Sequence, residues 1–309
     1  MTDAKSHNRG PLGLGSLRRI GRLTWVEIRK LVSHKLFPAA VIITLLVTAG
    51  LGLAAKNFTE STGSTVRFSN YSLWVASAGY GLQVSALLLT ALGAMAMSSE
   101  ATGRTLNTVL ARPIRRFEFA IAKVLSLVFA TVAVVLAAAL AAWIVGGTVP
   151  EKHSLPIHRG ELAPRPGGFP TYADVVDPQY PDTVIATRGE VMGEILYGFM
   201  LLVVPVLAGV SLGFLLGTLI ESSGLAVGIA VGVFMTLEAT KFIPVFEEYL
   251  GRLAFNYPMT RITTLMLEAG KGTVPQWHDA LVGVGISAIY VAVSLLVSVT
   301  LFCRRDITL

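Results

Sequence analysis

Long apolar stretches without a charged residue alternate with short polar segments along most of the chain. They occupy residues 36–55, 68–99, 124–150, 195–220 and 280–303, and a shorter one runs from 222 to 237. About 20 consecutive apolar residues are enough to span a hydrocarbon core. The pattern predicts an all-α polytopic membrane protein with six transmembrane helices, at about 36–55, 74–97, 124–146, 195–220, 222–241 and 280–303.

The composition agrees with this class. Hydrophobic residues make up 53% of the 309 residues and charged residues only 14%, whereas about 25% of a globular chain is charged. The single cysteine, Cys303, excludes an intramolecular disulfide and a zinc site built from cysteines. The first apolar stretch exceeds the 7–15 residues of a signal peptide, so we interpret it as a span.

The N-terminal region divides in two. Residues 1–15 are polar and predicted to be disordered, and 16–309 form one transmembrane domain. Ser16 to Lys35 is amphipathic, with four arginines mostly opposite an apolar face. Such a helix lies in the membrane interface and contacts lipid. The alternative is a positively charged flank of the first span that has no partner. The apolar face consists of Leu17, Ile20, Thr24, Ile28 and Leu31.

The distribution of charge orients the chain. The N-terminal segment, the 98–123 loop, the 221–224 turn and the C-terminal tail carry 15 basic and 6 acidic residues. The opposite face carries 10 and 13, so the two net charges of +9 and −3 make up the total of +6. Positive loops stay in the cytoplasm, which predicts a multi-pass protein of the cell membrane with both termini cytoplasmic. Nucleic acid is not expected as a partner. The four tryptophans fall near predicted span ends, as in an aromatic belt.

The segment 98–123 is polar and basic and separates two spans. Ser98 or Ser99 is predicted to cap a short helix, and Glu100 to lie in its first turn, where the helix dipole favours an acid. Pro113 is expected to end that helix. The segment therefore predicts a short helix on the cytoplasmic membrane surface, where a soluble partner can bind it. Its apolar stripe would consist of Leu106, Val109 and Leu110.

The order of residues in this loop resembles the first intracellular loop of type-2 ATP-binding-cassette (ABC) export permeases. The matching pattern is Glu-x-x-Gly-x-Thr-Leu, followed by Arg-Pro-Ile-x-Arg and a later lysine. Glu27 to Lys30 also resembles the connecting helix before that family's first span. The resemblance implies a cytoplasmic coupling helix that docks on an ABC ATPase subunit. The implied docking set is Glu100, Gly103, Arg104, Thr105, Leu106, Arg112, Pro113 and Arg116.

The resemblance also implies the rest of the assembly. A second permease chain, identical or different, would complete the transporter, and the partner ATPase would bind ATP and Mg. No cofactor is expected in this chain itself. Gly270 to Thr273 resembles the end of a phosphate-binding loop, but Leu265 and Gly272 stand where that motif needs glycine and serine or threonine. His153 and His158 are weak metal candidates, and we expect no catalytic or metal site.

Two segments are predicted on the outer side. The outer loop 146–190 holds seven of the fourteen prolines, and we expect irregular, partly extended structure. It is either solvated or a contact for an extracytoplasmic protein. The segment 242–279 is too apolar for a loop and too charged for a span. We interpret it as a re-entrant outer segment of short helices, which the resembling family also has.

Small residues recur at a spacing of four in the fourth and fifth spans. Such stripes let helix backbones approach closely, either within this chain or between two copies. Glu194, Glu238 and Lys241 are the ionisable groups nearest the outer span ends, and we expect them to anchor the spans, with Glu238 and Lys241 paired. The stripes consist of Gly209, Gly213, Gly217, Gly224, Gly228 and Gly232.

The expected function is that of the permease subunit of an ABC transporter, which couples ATP hydrolysis by a separate subunit to export or to conformational work. Two alternatives remain open. One is a polytopic membrane enzyme with its site in the 146–190 loop. The other is an ABC-coupled scaffold that transmits force and moves no solute.

Overall fold

The computed structural model describes residues 14–62, 70–102, 116–148, 175–176, 184–240 and 254–304. Within these ranges the chain forms eight α-helices and a ribbon of two short strands. The helices are α1 (Leu14–Ser33), α2 (Leu36–Thr62), α3 (Asn70–Thr102), α4 (Arg116–Thr148), α5 (Arg188–Leu219), α6 (Ser223–Thr240), α7 (Tyr257–Ala269) and α8 (His278–Arg304). The strands are β1 (Val175–Val176) and β2 (Val184–Ala186).

The prediction of an all-α, multi-pass membrane protein is confirmed. Six helices, α2 to α6 and α8, are long and apolar enough to cross a membrane. Each contains most of one predicted span, but α2 to α5 all extend beyond the predicted limits, and α3 and α4 do so into the predicted loop 98–123. The extensions include charged residues, which the sequence analysis assigned to a loop. These extensions are helical because residues on other helices neutralise their charges.

Helix α3 lies at the centre of the bundle and packs against α2, α4, α5, α6 and α7. Its most apolar region is 61% buried, compared with 17% for α6 and 22% for α8. The last two helices therefore lie at the edge of the bundle and leave most of their apolar surface for lipid or another protein.

The contact between α3 and α5 is a direct approach of two backbones. A Cβ added to Gly213 would lie 2.1 Å from the carbonyl oxygen of Thr90, and one added to Gly217 would lie 2.1 Å from that of Ala94. The two glycines follow the two α3 residues in the same direction, so α3 and α5 are parallel. Alternate spans of a multi-pass protein must run parallel in this way.

Neighbouring spans are antiparallel. Near the start of α3, the Trp74 indole N–H donates to the Ala139 carbonyl oxygen near the end of α4, at 3.0 Å. Trp74 is only 2% exposed and contacts the Phe199 ring. The prediction of a lipid-facing aromatic belt is therefore wrong for Trp74. Its ring packs between helices because the α4 carbonyl satisfies its N–H within the protein.

Helix α1 and the end of α8 lie at the same end of the bundle, here called the α1 end. Ser16 of α1 contacts Glu118 of α4, and the Phe119 ring lies 6.0 Å from that of Phe302 near the end of α8. The segment 103–115, which joins α3 to α4, leaves and re-enters the described structure at this end.

Helix α7 packs against α3, α5 and α8 at the opposite end. Its 13 residues are too few to cross a bilayer. A Cβ added to Gly198 of α5 would lie 2.4 Å from the Met266 side chain, and one added to Gly79 of α3 would lie 2.9 Å from Thr263. Helix α7 belongs to the predicted re-entrant segment 242–279, of which residues 242–253 lie outside the described part.

The ribbon belongs to the predicted outer loop 146–190. Val175 pairs with Ala186 and Val176 with Val184, in antiparallel register with one irregularity. Helix α5 begins immediately after β2 with a capping box. The Thr187 hydroxyl accepts from the Glu190 N–H, and the Glu190 carboxylate accepts from the Thr187 N–H at 2.8 Å. This cap fixes where the loop ends and the span begins.

Candidate functional site

The last turn of α3 contains the residues that were expected to start the coupling helix. The Ser98 hydroxyl donates to the Ala94 carbonyl oxygen at 2.7 Å, and the Ser99 hydroxyl donates to that of Met95 at 2.6 Å. The prediction that one of these serines caps a new helix is wrong. Their hydroxyls bond backward within a helix that continues to Thr102.

Glu100 forms the centre of a charged cluster between α1, α3 and α4. The Lys123 ammonium donates to Glu100 Oε1 at 2.9 Å and to Glu27 Oε2 at 3.0 Å. The Lys30 ammonium also donates to Glu100 Oε1. We call these four residues the ion cluster. Two acids and two bases make it formally neutral.

The side chains at the centre of the ion cluster are buried. Those of Glu100 and Lys123 are each 4% exposed, and that of Glu27 is 13% exposed. Removing such charges from water costs several kcal/mol per ion unless partners satisfy them. Lys123 also lies 5.1 Å from the centre of the Phe119 ring, whose π-face attracts a cation. Because of these contacts, Glu100 lies inside α3 and Lys123 lies inside α4, although the predicted spans 74–97 and 124–146 stop short of both residues.

Lys30 is the most exposed member of the ion cluster, with 55% of its side chain accessible. Partial burial alone would lower its pKa. The hydrogen bond and the negative charge of Glu100, with a smaller effect of Glu27, outweigh burial and raise the pKa of Lys30 above the ordinary 10.5. Lys30 is therefore charged under all physiological conditions.

A second polar contact joins the start of α1 to α4. The Ser16 hydroxyl donates to Glu118 Oε1 at 2.7 Å, and Arg19 Nη2 lies 3.6 Å from the same oxygen. Glu118 is only 1% exposed. Helix α1 thus contacts α4 at two points about eleven residues apart, through Ser16 and through Glu27.

The predicted docking residues fall into three groups. Glu100 is buried and paired within the chain, so its assignment as a surface contact is corrected to a bracing role. Arg116 lies at the start of α4, where its Nη1 donates to the Cys303 carbonyl oxygen at 3.5 Å. The others lie outside the described residues, between Thr102 and Arg116; they are Gly103, Arg104, Thr105, Leu106, Arg112 and Pro113.

Glu118 was not predicted from the sequence as a site residue, and Glu27, Lys30 and Lys123 entered only as part of a resemblance. A signal was present. Glu27 and Lys30 are three residues apart on α1, and Glu118 and Lys123 are an acid and a base that flank the four apolar residues 119–122. Charges in an apolar helix need partners, but pattern alone does not show which helix supplies them.

A small cavity of about 80 Å³ adjoins the ion cluster. Its lining includes both polar and apolar side chains, and the two lysines in it are already neutralised by the two glutamates. The lining residues are Glu27, Lys30, Leu31, His34, Leu36, Leu92, Met95, Ala96, Ser99, Glu100, Lys123, Ser126 and Leu127.

The two predicted glycine stripes have different surroundings. The stripe of Gly209, Gly213 and Gly217 packs against α3, as expected for contacts within one chain. For the stripe of Gly224, Gly228 and Gly232 on α6, an added Cβ would meet nothing within 4 Å. Leu225 beside it is 57% exposed. The α6 stripe therefore forms an open face of small residues on the outside of the bundle.

Polar contacts at the α7 end differ in part from the expected ones. The Trp277 indole N–H donates to Glu194 Oε2 at 2.7 Å. The Asn256 amide donates to Glu238 Oε1 at 2.8 Å, which links α6 to the start of α7. Lys241, the predicted partner of Glu238, lies outside the described residues.

Two chemical motifs were considered in the sequence, the end of a phosphate-binding loop and a pair of histidines. Gly270 to Thr273 forms a tight turn after α7, in which Gly272 has a φ of 77°. Among the described residues, no three histidine, cysteine, aspartate or glutamate side chains are grouped to bind a metal. His153 and His158 lie outside that part of the chain.

The fold and the ion cluster define a multi-pass helical membrane protein whose N-terminal helix is braced against its second and third spans. Over residues 39–308 the chain matches a family described as a protein of unknown function (DUF2705). This match covers most of the chain, so the chain belongs to that family. No curated protein matches it.

Proposed function

We propose that this chain is the permease subunit of an ABC transporter and that its 103–115 segment docks on a separate ATPase subunit. The observation that carries this proposal is the bracing around that segment. Glu100 lies three residues before it, and Lys123 lies eight residues after it. The two are joined at 2.9 Å, and both contact α1.

The bracing supports transmission of force. A push on the 103–115 segment reaches the ends of α3 and α4 together, because the ion cluster resists their separation. Helix α3 in turn packs backbone to backbone on α5. Because no flexible side chains separate the two backbones, a movement of α3 also displaces α5. Alternating access needs such rigid elements, which move between two packed states.

The charge distribution supports the orientation. The α1 end carries most of the basic residues, and it would face the cytoplasm of the cell membrane, where ATP is available. ATP and Mg would bind to the partner ATPase, and no cofactor would bind to this chain.

The open face of α6 supports a second permease chain. In a bilayer, helices associate by close packing at small residues rather than by the hydrophobic effect. The α6 stripe offers such a contact, and α6 is the least buried span. Gly228→Leu would block the approach of a second chain, whereas Gly50→Leu offers a matched change at another open glycine, on α2.

The test is to purify the tagged full chain gently from its native membrane and to identify the proteins that accompany it. We expect a stoichiometric ABC ATPase, and we expect Arg112→Glu to remove it while Arg261→Glu, at the α7 end, retains it. A pure chain without an ATPase would overturn the proposal. If the ATPase is present and its ATP hydrolysis moves no solute in vesicles, the chain transmits force rather than exports.

A further inference from the structure

The face of α1 that points away from the bundle is apolar and basic at the same time. Its large apolar side chains are strongly exposed, with Trp25 at 67%, Leu17 and Val26 at 59% and Val32 at 48%. Isolated apolar side chains are common on protein surfaces, but four exposed along one helix of a membrane protein indicate a covering partner. Trp25 and Val32 lie close to the middle of this outward side, and Leu17 and Val26 lie at its two edges.

Three exposed arginines run along the same face. Arg18, Arg22 and Arg29 are spaced by four and seven residues, which aligns them along one side of a helix. Among the described residues, none of the three forms an ion pair. By contrast, Arg19 and Lys30 point to the bundle and pair with Glu118 and Glu100. The basic residues of α1 are therefore sorted into an inward set that is neutralised and an outward set that needs an external anion.

Two members of the outward set, Arg18 and Arg22, border a shallow groove on α1. Arg18, Gly21, Arg22, Trp25 and Val26 line it. An added Cβ at Gly21 would meet nothing within 4 Å, so the backbone at this point of the groove is open. A guanidinium binds phosphate oxygens in pairs, and an indole ring prefers the boundary between lipid headgroups and hydrocarbon.

The position of the groove indicates which kind of molecule would bring a phosphate group to it. Only His34 and Lys35 separate α1 from α2, which is a candidate span. Helix α1 therefore lies at the membrane boundary, where exposed apolar side chains reach acyl chains and arginines reach headgroups. We infer that the outward face of α1 binds anionic phospholipid of the adjacent leaflet, with the phosphate between Arg18 and Arg22 and Trp25 beside the upper acyl chain. This inference does not depend on the proposed coupling to an ATPase.

The test uses the full chain reconstituted into phosphatidylcholine bilayers that contain a varied fraction of phosphatidylglycerol with brominated acyl chains. Bromine quenches tryptophan fluorescence on contact. The signal of Trp25 is the difference between the wild type and Trp25→Phe, a change at an exposed position that should leave folding intact. We expect half-quenching at a much lower fraction of brominated phosphatidylglycerol than of brominated phosphatidylcholine.

The double variant Arg18→Gln/Arg22→Gln should raise the half-quenching fraction by roughly fivefold for each arginine removed, as expected for basic groups near an anionic membrane. The matched control Arg261→Gln/Lys271→Gln removes two positive charges at the α7 end and should change nothing. Equal quenching by the two lipids, or an unchanged half-quenching fraction in the double variant, would overturn the inference. Absence of quenching by either lipid would also overturn it and would favour an acidic protein surface as the partner.

Discussion

The ion cluster predicts a specific non-additive effect on stability. Glu27→Gln and Glu100→Gln each remove one carboxylate from Lys123 and keep the shape of the side chain. After either change, Lys123 retains one charged partner at about the same distance, 3.0 or 2.9 Å. After both changes, an ammonium that is 4% exposed has neither carboxylate. Lys30 matters less, because its half-exposed ammonium can turn to water.

The magnitudes follow from burial. Each single change should cost about 1 kcal/mol, as for a typical hydrogen bond that loses strength. The double change leaves a buried unpaired charge, for which about 3–5 kcal/mol is expected. The double variant should therefore lose about 1–3 kcal/mol more than the sum of the singles, within the range found for residues in direct contact.

The assay is unfolding of the purified full chain by sodium dodecyl sulfate in mixed micelles, followed by helical circular dichroism. Asp279→Asn is the matched control, because its side chain is 76% exposed and 4.0 Å from Arg261, so a loss below about 1 kcal/mol is expected. Adding Lys123→Met to the double variant should restore stability, because this buried site can accommodate an apolar side chain of similar size. Additive losses, or no rescue by Lys123→Met, would show that Lys123 does not depend on the two carboxylates.

Three further predictions use the same unfolding assay. Gly213→Ala should lose about 1–3 kcal/mol because its methyl group would overlap a carbonyl oxygen of α3. Gly228→Ala, which faces open space, should lose nothing and gain up to about 1 kcal/mol, because alanine favours a helix more than glycine does. Similar losses from the two changes would contradict the packing assignment. Because folding raises the pKa of Lys30, its pairing is fully present below the ordinary value of 10.5 and is lost as the pH rises through the higher folded value. The difference in unfolding free energy between the wild type and Lys30→Met should therefore stay constant up to about pH 10.5 and shrink only above it. A difference that shrinks near neutral pH would contradict the pairing of Lys30. Glu194→Met and Trp277→Phe should each lose about 1 kcal/mol, and the double variant should lose no more than either single, because each change removes the same hydrogen bond.

The spans could be predicted from the sequence because bilayer thickness and hydrophobicity act along a single helix. All six predicted spans coincide with apolar helices. Their ends could not be predicted as well, because they depend on contacts between helices. The charge of Glu100 or Glu118 marks a loop only if no partner is present, and the partners lie on α1, 70 and about 100 residues away in the chain.

The site could be predicted only in part, for the same reason. The polar 98–123 segment was identified, but Ser98 and Glu100 were placed in a new helix rather than at the end of α3. A serine before an acid is a common helix start, and the backward hydrogen bond that makes it a helix end leaves no mark in the sequence. The glycine spacing predicted close packing for both stripes, yet only Gly213 and its neighbours face another helix.

The central claim, that the 103–115 segment docks on an ATPase, is tested most directly by cross-linking in the intact cell membrane. A photo-reactive amino acid would replace Asn107, within the segment, or Lys271, at the α7 end. We expect a light-dependent adduct between position 107 and a protein that contains an ATP-binding-cassette nucleotide site, with none from position 271. An adduct with such a protein from position 271 alone, or no ATP-binding protein captured at position 107, would contradict it.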